Sequence, residues 1–183
     1  INERKDYNVI NYDKLTYAGN LENLDDIKNN DRYTFVKGDI ADFERVSETL
    51  KKYDIDVIIN FAAETHVDRS IMGAVDFIKT DVEGVYVLLE AARLRGGLKR
   101  FIQISTDEVY GSVEIGYSKE TDTLMPRNPY SASKAGGDRI AYSFFATYNM
   151  DVIITRASNN YGPYQYPEKL IPLFITNAIE GMS

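Results

Sequence analysis

The sequence predicts an α/β protein: a doubly wound, Rossmann-like parallel sheet with helices on both faces, incomplete at both ends. Short β-rich runs alternate with longer helical stretches along the chain. The run Asp56-Val57-Ile58-Ile59-Asn60-Phe61 is continuously apolar at its centre, as a parallel strand covered on both faces requires. No repeat or low-complexity linker interrupts the alternation, so 1–183 reads as one partial domain, with 159–183 leading into a second binding region.

Tyr7-Asn8-Val9-Ile10-Asn11-Tyr12 reads as a strand ending at Asp13, and Tyr33-Thr34-Phe35-Val36-Lys37 as the next. A helix over about 42–53 precedes the central strand at 56–61. Residues 73–95 read as one long helix stopped by Gly96-Gly97, followed by the strand Arg100-Phe101-Ile102-Gln103-Ile104. A helix over 130–148, a strand at 152–156 and a last helix over 168–180 complete the order; Pro172 falls in that helix's first turn, where proline is tolerated.

Composition removes several classes of function. With 28 carboxylates against 21 Lys and Arg the net charge is −7, and the cations are scattered, which argues against nucleic acid or an anionic membrane as partner. No apolar run approaches the roughly 20 residues of a membrane span, and Ile1-Asn2-Glu3-Arg4-Lys5 does not resemble a signal peptide, so a cytoplasmic location is expected. There are no cysteines and a single histidine, His66, so no metal site is expected. A chain that opens without Met on a polar segment reads as a fragment.

In a doubly wound sheet, ligands bind beyond the carboxyl ends of the strands. Asp13 follows the first strand, where a dinucleotide fold places an acid against the adenosine ribose; a solvated turn aspartate reads equally well from the residue alone. A carboxylate there would repel a 2′-phosphate and favour NAD over NADP. The glycine-rich turn that should precede it by roughly 20 residues would lie upstream of Ile1. Asp39 follows the second strand and could meet an adenine or simply close a turn. Phe61-Ala62-Ala63 ends the central strand in small residues, which admit a cofactor or tight helix packing.

Tyr130 and Lys134 are spaced to share one helical face, where an ammonium would bring a phenol nearer to a usable general base. Chance alone predicts about one such pair in this composition, and Tyr33/Lys37 is a second. That second pair lies on a strand, where four residues span about 13 Å, so context selects Tyr130. Ser105-Thr106-Asp107-Glu108 brings two hydroxyls and two carboxylates to the end of a central strand, as a reaction site or as caps of the next segment. Asn159-Asn160-Tyr161-Gly162-Pro163 follows the last strand and could equally be a turn.

Taken together, Ser105-Thr106 and the run Tyr130-Ser131-Ala132-Ser133-Lys134 resemble the extended short-chain dehydrogenase/reductase superfamily. Within it, four segments resemble the dTDP-glucose 4,6-dehydratases: Asp13-Lys14-Leu15-Thr16-Tyr17-Ala18-Gly19-Asn20, the run from Ala62 to Ser70, Ser105 to Gly111, and Ser158 to Gln165. With Glu168-Lys169-Leu170-Ile171-Pro172 the resemblance covers nearly the whole chain.

The resemblance implies that Asp13, Lys14, Leu15, Thr16, Asp39, Ile40, Phe61, Ala62, Ala63, Glu64, Thr65, Thr80, Tyr130, Lys134 and Asn160 lie against NAD. It implies that Thr65, Thr106, Asn159, Glu168, Lys169 and Leu170 face dTDP-glucose, and that Thr106, Asp107, Glu108, Tyr130 and Lys134 are catalytic. It also implies a homodimer through the helices at about 73–95 and 130–148. The expected reaction oxidises C4, removes water across C5–C6 and returns the hydride to C6. A 4-epimerase, which eliminates nothing and has no need of Asp107-Glu108, and a non-catalytic nucleotide-binding domain are the alternatives. Taken as a fragment, 1–183 alone is expected to bind NAD weakly and turn over nothing.

Overall fold

The computed structural model describes residues 1, 3 and 6–182; Asn2, Arg4 and Lys5 of the opening segment lie outside the described residues. The chain forms two compact units. The first comprises Ile1–Val9, Leu15–Thr34 and Asn159–Ser183, and the second Ile10–Lys14 with Phe35–Ser158.

Strand β1 (Val9–Asp13) pairs with β2 (Tyr33–Lys37). Val9 N donates to Arg32 O at 2.8 Å at one end and Gly38 N to Asp13 O at 3.0 Å at the other, so the two strands run parallel. Strands β3 (Val57–Asn60), β4 (Arg100–Thr106) and β5 (Val152–Ala157) form a separate parallel sheet in the order β3-β4-β5. The α/β class is as the sequence predicts. The five strands nevertheless make two sheets rather than one, because no described strand pairs β1 with β3.

Helix α1 (Phe43–Lys52) starts where Asp42 accepts from Arg45 N as its N-cap, within the span expected over about 42–53. It packs with α4 (Val85–Arg95) and α5 (Pro129–Tyr148) over the second unit's core. Val46 and Leu50 come from α1, Val85, Leu88 and Leu89 from α4, Ala141 and Phe144 from α5, and Phe101 from β4. Ile58, Val152 and Ile154 face them from the neighbouring strands. Burying these apolar side chains, each about 1.5–3 kcal/mol, fixes strand ends against helix starts.

A short helix, α2 (Val67–Met72), precedes the expected helix over 73–95, which runs without interruption from Val75 to Arg95 as the single turn α3 (Val75–Ile78), a π-helical turn (Lys79–Gly84) and α4. Asp81 within the π turn is buried and tied to groups outside the helix, so the local widening turns a polar side chain inward from an otherwise apolar face. Gly96 ends α4 with a positive φ of 74, at the stop that Gly96-Gly97 predicts. In the first unit, a 3-10 helix spans Leu21–Leu24 and α6 spans Leu170–Glu180. Among the described residues no helix is long and apolar enough to cross a membrane.

Candidate active site

Strand β4 runs two residues further than its apolar pattern suggests, so Ser105 and Thr106 are its last residues and both are buried. A short 3-10 helix, Asp107–Tyr110, follows at once. Its cap is Thr106, whose Oγ1 accepts from Glu108 N at 3.2 Å and donates to Asp107 Oδ1 at 3.3 Å. Among the described residues neither carboxylate caps this turn. Their surroundings differ: Asp107 is exposed, whereas Glu108 is half-buried and accepts from Asn128 Nδ2 at 3.2 Å.

Helix α5 opens with a capping box, Asn128 accepting from Ser131 N at 2.7 Å while Ser131 Oγ accepts from Asn128 N, with Pro129 in the first turn. This fixes Tyr130 and Lys134 on the helix's first two turns, both buried. Burial pushes the Tyr130 phenol up to about 12, with the nearby carboxylates Glu108, Asp81 and Asp107 adding to it and a hydrogen bond to Thr106 opposing. The sequence reading expects the Lys134 ammonium to bring this phenol down. Instead burial dominates the phenol's shift, and Lys134 Nζ donates to the Ile104 carbonyl at 2.8 Å. Burial lowers the lysine's own pKa, against the attraction of Asp81 and Asp138.

Asp81 is the hub beneath these groups. One oxygen accepts from Glu64 N at 3.1 Å and the other from Ser133 Oγ at 2.7 Å, so it joins the loop after β3 to α5. Burial raises its pKa to about 6, with Ser133, Lys134 and the Glu64 amide pulling the other way. Ser70 Oγ accepts from Tyr130 N at 3.2 Å and ties α2 to the same helix start.

Residues expected at a cofactor gather in part. Asp13 ends β1 and Lys14 follows it, Asp39 and Ile40 follow β2, and Phe61 to Thr65 follow β3. Lys14 Nζ pairs with Asp39 Oδ2 at 2.8 Å, and the lysine's hydrogen bond holds the Asp39 carboxyl below its usual value despite burial. Phe61 leaves 73% of its surface exposed beside the half-buried Ala62 and Ala63, an open aromatic face with small neighbours that suits a flat ligand. Thr65 is exposed and Thr80 half-buried in the π turn. Ile40 departs from expectation: only 7% exposed, its side chain lies in the core against Gly84, so its backbone is what it can offer a ligand. Tyr33 and Lys37 both lie in β2, as the strand argument requires.

The first unit holds the remainder. Leu15 adopts a left-handed φ of 54 and Thr16 O accepts from Gly19 N at 2.9 Å. Asn159, Asn160 and Leu170 are exposed, and the Asn160 carbonyl accepts from Gln165 Nε2 at 3.1 Å. Tyr17 OH donates to Glu168 Oε1 at 2.8 Å and stacks edge-on with Tyr166 at 5.5 Å, while Lys169 Nζ lies 3.8 Å from Glu168 Oε1.

A model of the family described as GDP-mannose 4,6-dehydratase matches residues 2–183. The chain belongs to this family. Among curated relatives, it is 53% identical over 169 residues to a dTDP-glucose 4,6-dehydratase of Streptomyces niveus, a match covering 92% of this chain and 49% of that protein. The crystal structure of DesIV, a dTDP-glucose 4,6-dehydratase from Streptomyces venezuelae with NAD and dTDP bound, superposes with a TM-score of 0.91 at 51% identity, over 94% of this chain and 53% of that one. A UDP-glucuronic acid 4-epimerase from Bacillus cereus in complex with NAD superposes with a TM-score of 0.86 at 25% identity, over 98% and 58%. The chain thus spans about half the length of the curated relatives it matches.

Several residues around these groups escape the sequence reading. Asn128 precedes the helical pattern, and Ser133 and Asp138 sit inside it, where they read as polar spacers. Asp81 stands out no more, since the run from Phe77 to Val85 also holds Lys79, Thr80 and Glu83.

Proposed function

We propose that the protein carrying this chain is an NAD-dependent dTDP-glucose 4,6-dehydratase, converting dTDP-glucose to dTDP-4-keto-6-deoxyglucose as a step of deoxysugar biosynthesis. The observation that supports elimination over simple redox chemistry is the 3-10 turn after β4. It offers Asp107 and Glu108 together, unburdened by capping, beside Thr106 and the start of α5. An epimerase of the same fold needs Tyr130 and Lys134 but has no water to expel.

Asp13, Lys14, Leu15, Thr16, Asp39, the backbone of Ile40, Phe61 to Thr65, Thr80 and Asn160 would hold NAD, and the open face of Phe61 with its small neighbours fits that role. When bound, NAD accepts the C4 hydride and gives it back to C6. Tyr130 takes the C4 hydroxyl proton while Thr106 orients that oxygen and Lys134 holds the cofactor ribose. The C4 ketone acidifies C5, from which Glu108 removes the proton as Asp107 protonates the departing C6 hydroxyl. Thr65, Asn159, Glu168, Lys169 and Leu170 would bind the sugar nucleotide, and the thymine preference rests on the relatives. This reading brings with it a cytoplasmic location and a homodimer. Exposed Tyr86 and Leu94 on α4 and Tyr142, Phe145 and Tyr148 on α5 support a contact between copies there.

The test separates the half-reactions. Replacing Asp107 and Glu108 by Asn and Gln should leave C4 oxidation within about threefold while slowing water loss by 100-fold or more, roughly the range that general acid–base catalysis contributes. Equal loss in both steps would contradict the assignment.

A further inference from the structure

Three contacts bind the segment before α5 to the turn that carries the carboxylates. Met125 N donates to Val109 O at 2.9 Å, Arg127 NH1 donates to Ser112 Oγ at 2.9 Å, and Asn128 Nδ2 donates to Glu108 Oε2 at 3.2 Å. Gly111 closes the turn at φ 83, and a Cβ there would come within 2.4 Å of Met125 O, so the two segments meet without room for a side chain.

Asn128 stands at the centre of this buckle with its amide used at both ends. Its Oδ1 must face the Ser131 N–H that it caps, which assigns the other amide atom as the nitrogen, a group that can only donate. That donor points at Glu108. The same side chain therefore starts the helix carrying Tyr130 and Lys134 and aims the carboxylate that would act on C5.

We propose that Asn128 is a positioning residue for Glu108, fixing the elimination base to the helix terminus that carries the oxidation residues; the inference rests on the dehydratase reading above. An amide N–H holds Glu108 strictly as an acceptor, with one oxygen anchored and the other left to meet the C5 proton. Helix capping and base positioning are separable by substitution. Asn128→Ser and Asn128→Asp both keep an oxygen for Ser131 N, and both residue types cap about as well as Asn. Serine replaces the amide N–H with a single, shorter hydroxyl on the capping side, whereas aspartate replaces it with a second carboxylate facing Glu108.

The experiment uses the whole protein that carries this chain, loaded with NAD, in single turnovers of dTDP-glucose. Oxidation is read as reduced-nicotinamide absorbance and proton removal as solvent deuterium entering C5. In Asn128→Ser, oxidation and thermal midpoint should hold while C5 exchange and water loss slow about 10- to 100-fold, the worth of a hydrogen bond to a charged group. Reduced nicotinamide should consequently accumulate. Asn128→Asp should slow C5 exchange at least as much with the helix intact. Exchange unchanged in both variants, or oxidation slowed in step with it, overturns the inference. Glu108→Gln separates the two levels. Abolished exchange there with normal exchange in Asn128→Ser leaves the dehydratase reading standing without the inference, and normal exchange in Glu108→Gln overturns both.

Discussion

Asp81 carries the sharpest consequence at the scale of single residues. Its burial raises the carboxyl to about 6 from its ordinary 3.8, so the folded chain binds a proton more tightly than the unfolded one. The sign follows: the protonated form's stability is fully present below about pH 4 and is lost as pH rises through about 6. Lys134 and the Glu64 amide face the ionised form and limit that loss, while the Glu64 carboxylate adds to it. Asp81→Asn can keep both hydrogen bonds, because Ser133 Oγ can accept where it now donates. Its stability relative to the native chain should therefore climb between about pH 4 and 7, by at most about 3 kcal/mol for a shift of roughly two units. Thermal melts across that range would show it, and curves that stay parallel would mean Asp81 is not a buried acid. Tyr130→Phe is predicted to abolish C4 oxidation, with NAD still bound in an equilibrium titration. Asp39, Thr106, Asp107 and Glu108 are legible in the sequence because position at a strand end declares which edge a residue reaches, and Tyr130 and Lys134 because helical spacing sets a shared face. Asp81, Ser133 and Asn128 act across helix packing, which no spacing along the chain reports.

Helix α5 shows how elements were legible in outline and not in contact. Its span and its Tyr130/Lys134 face follow from pattern, but its capping box does not, and Gly136-Gly137 in its middle reads only as a propensity cost of about 1 kcal/mol each. The structure supplies the reason. A Cβ on Gly137 would lie 2.3 Å from Asp81 O, so α5 crosses the π turn backbone to backbone. On Gly136 the nearest atom is Val82 Cγ2 at 3.0 Å, a side chain that can yield. Gly137→Ala should cost about 1–3 kcal/mol in chemical denaturation and also disturb Lys134, whereas Gly136→Ala should cost clearly less. Equal effects would show that the crossing does not depend on the missing side chain. The same crossing sits where the expected helix over 73–95 widens: its periodicity continues through 79–84, but the turn opens there to bring Asp81 inward. Hydrophobic period alone cannot distinguish an α from a π turn.

For the molecule as a whole, the chemistry of the second unit hangs on ties between its layers. Arg156 at the end of β5 donates to Asp138 on α5 at 2.9 Å and to Tyr110 in the 3-10 turn at 2.7 Å. Asp138 is fully buried, and burial raises its pKa against the pull of Arg156. Arg156→Met should cost about 3–5 kcal/mol by stranding that carboxylate, and adding Asp138→Leu should recover much of it. A double variant as unstable as the single one would deny the pairing. The alternation of strands and helices announced this fold class, yet its strands form two sheets among the described residues, an arrangement that depends on pairing partners rather than on any run's own pattern. Fold alone also leaves the reaction open, since dehydratases and a 4-epimerase superpose on the chain alike. The decision between them returns to Asp107 and Glu108. The most direct measurement supplies dTDP-glucose deuterated at C4 to the whole protein carrying this chain and reads the product by mass spectrometry and NMR. The dehydratase account predicts a 4-keto-6-deoxy product lighter by one water, with the C4 deuterium now at C6 and no net reduced cofactor. An isomer of unchanged mass, or deuterium retained at C4, would contradict it.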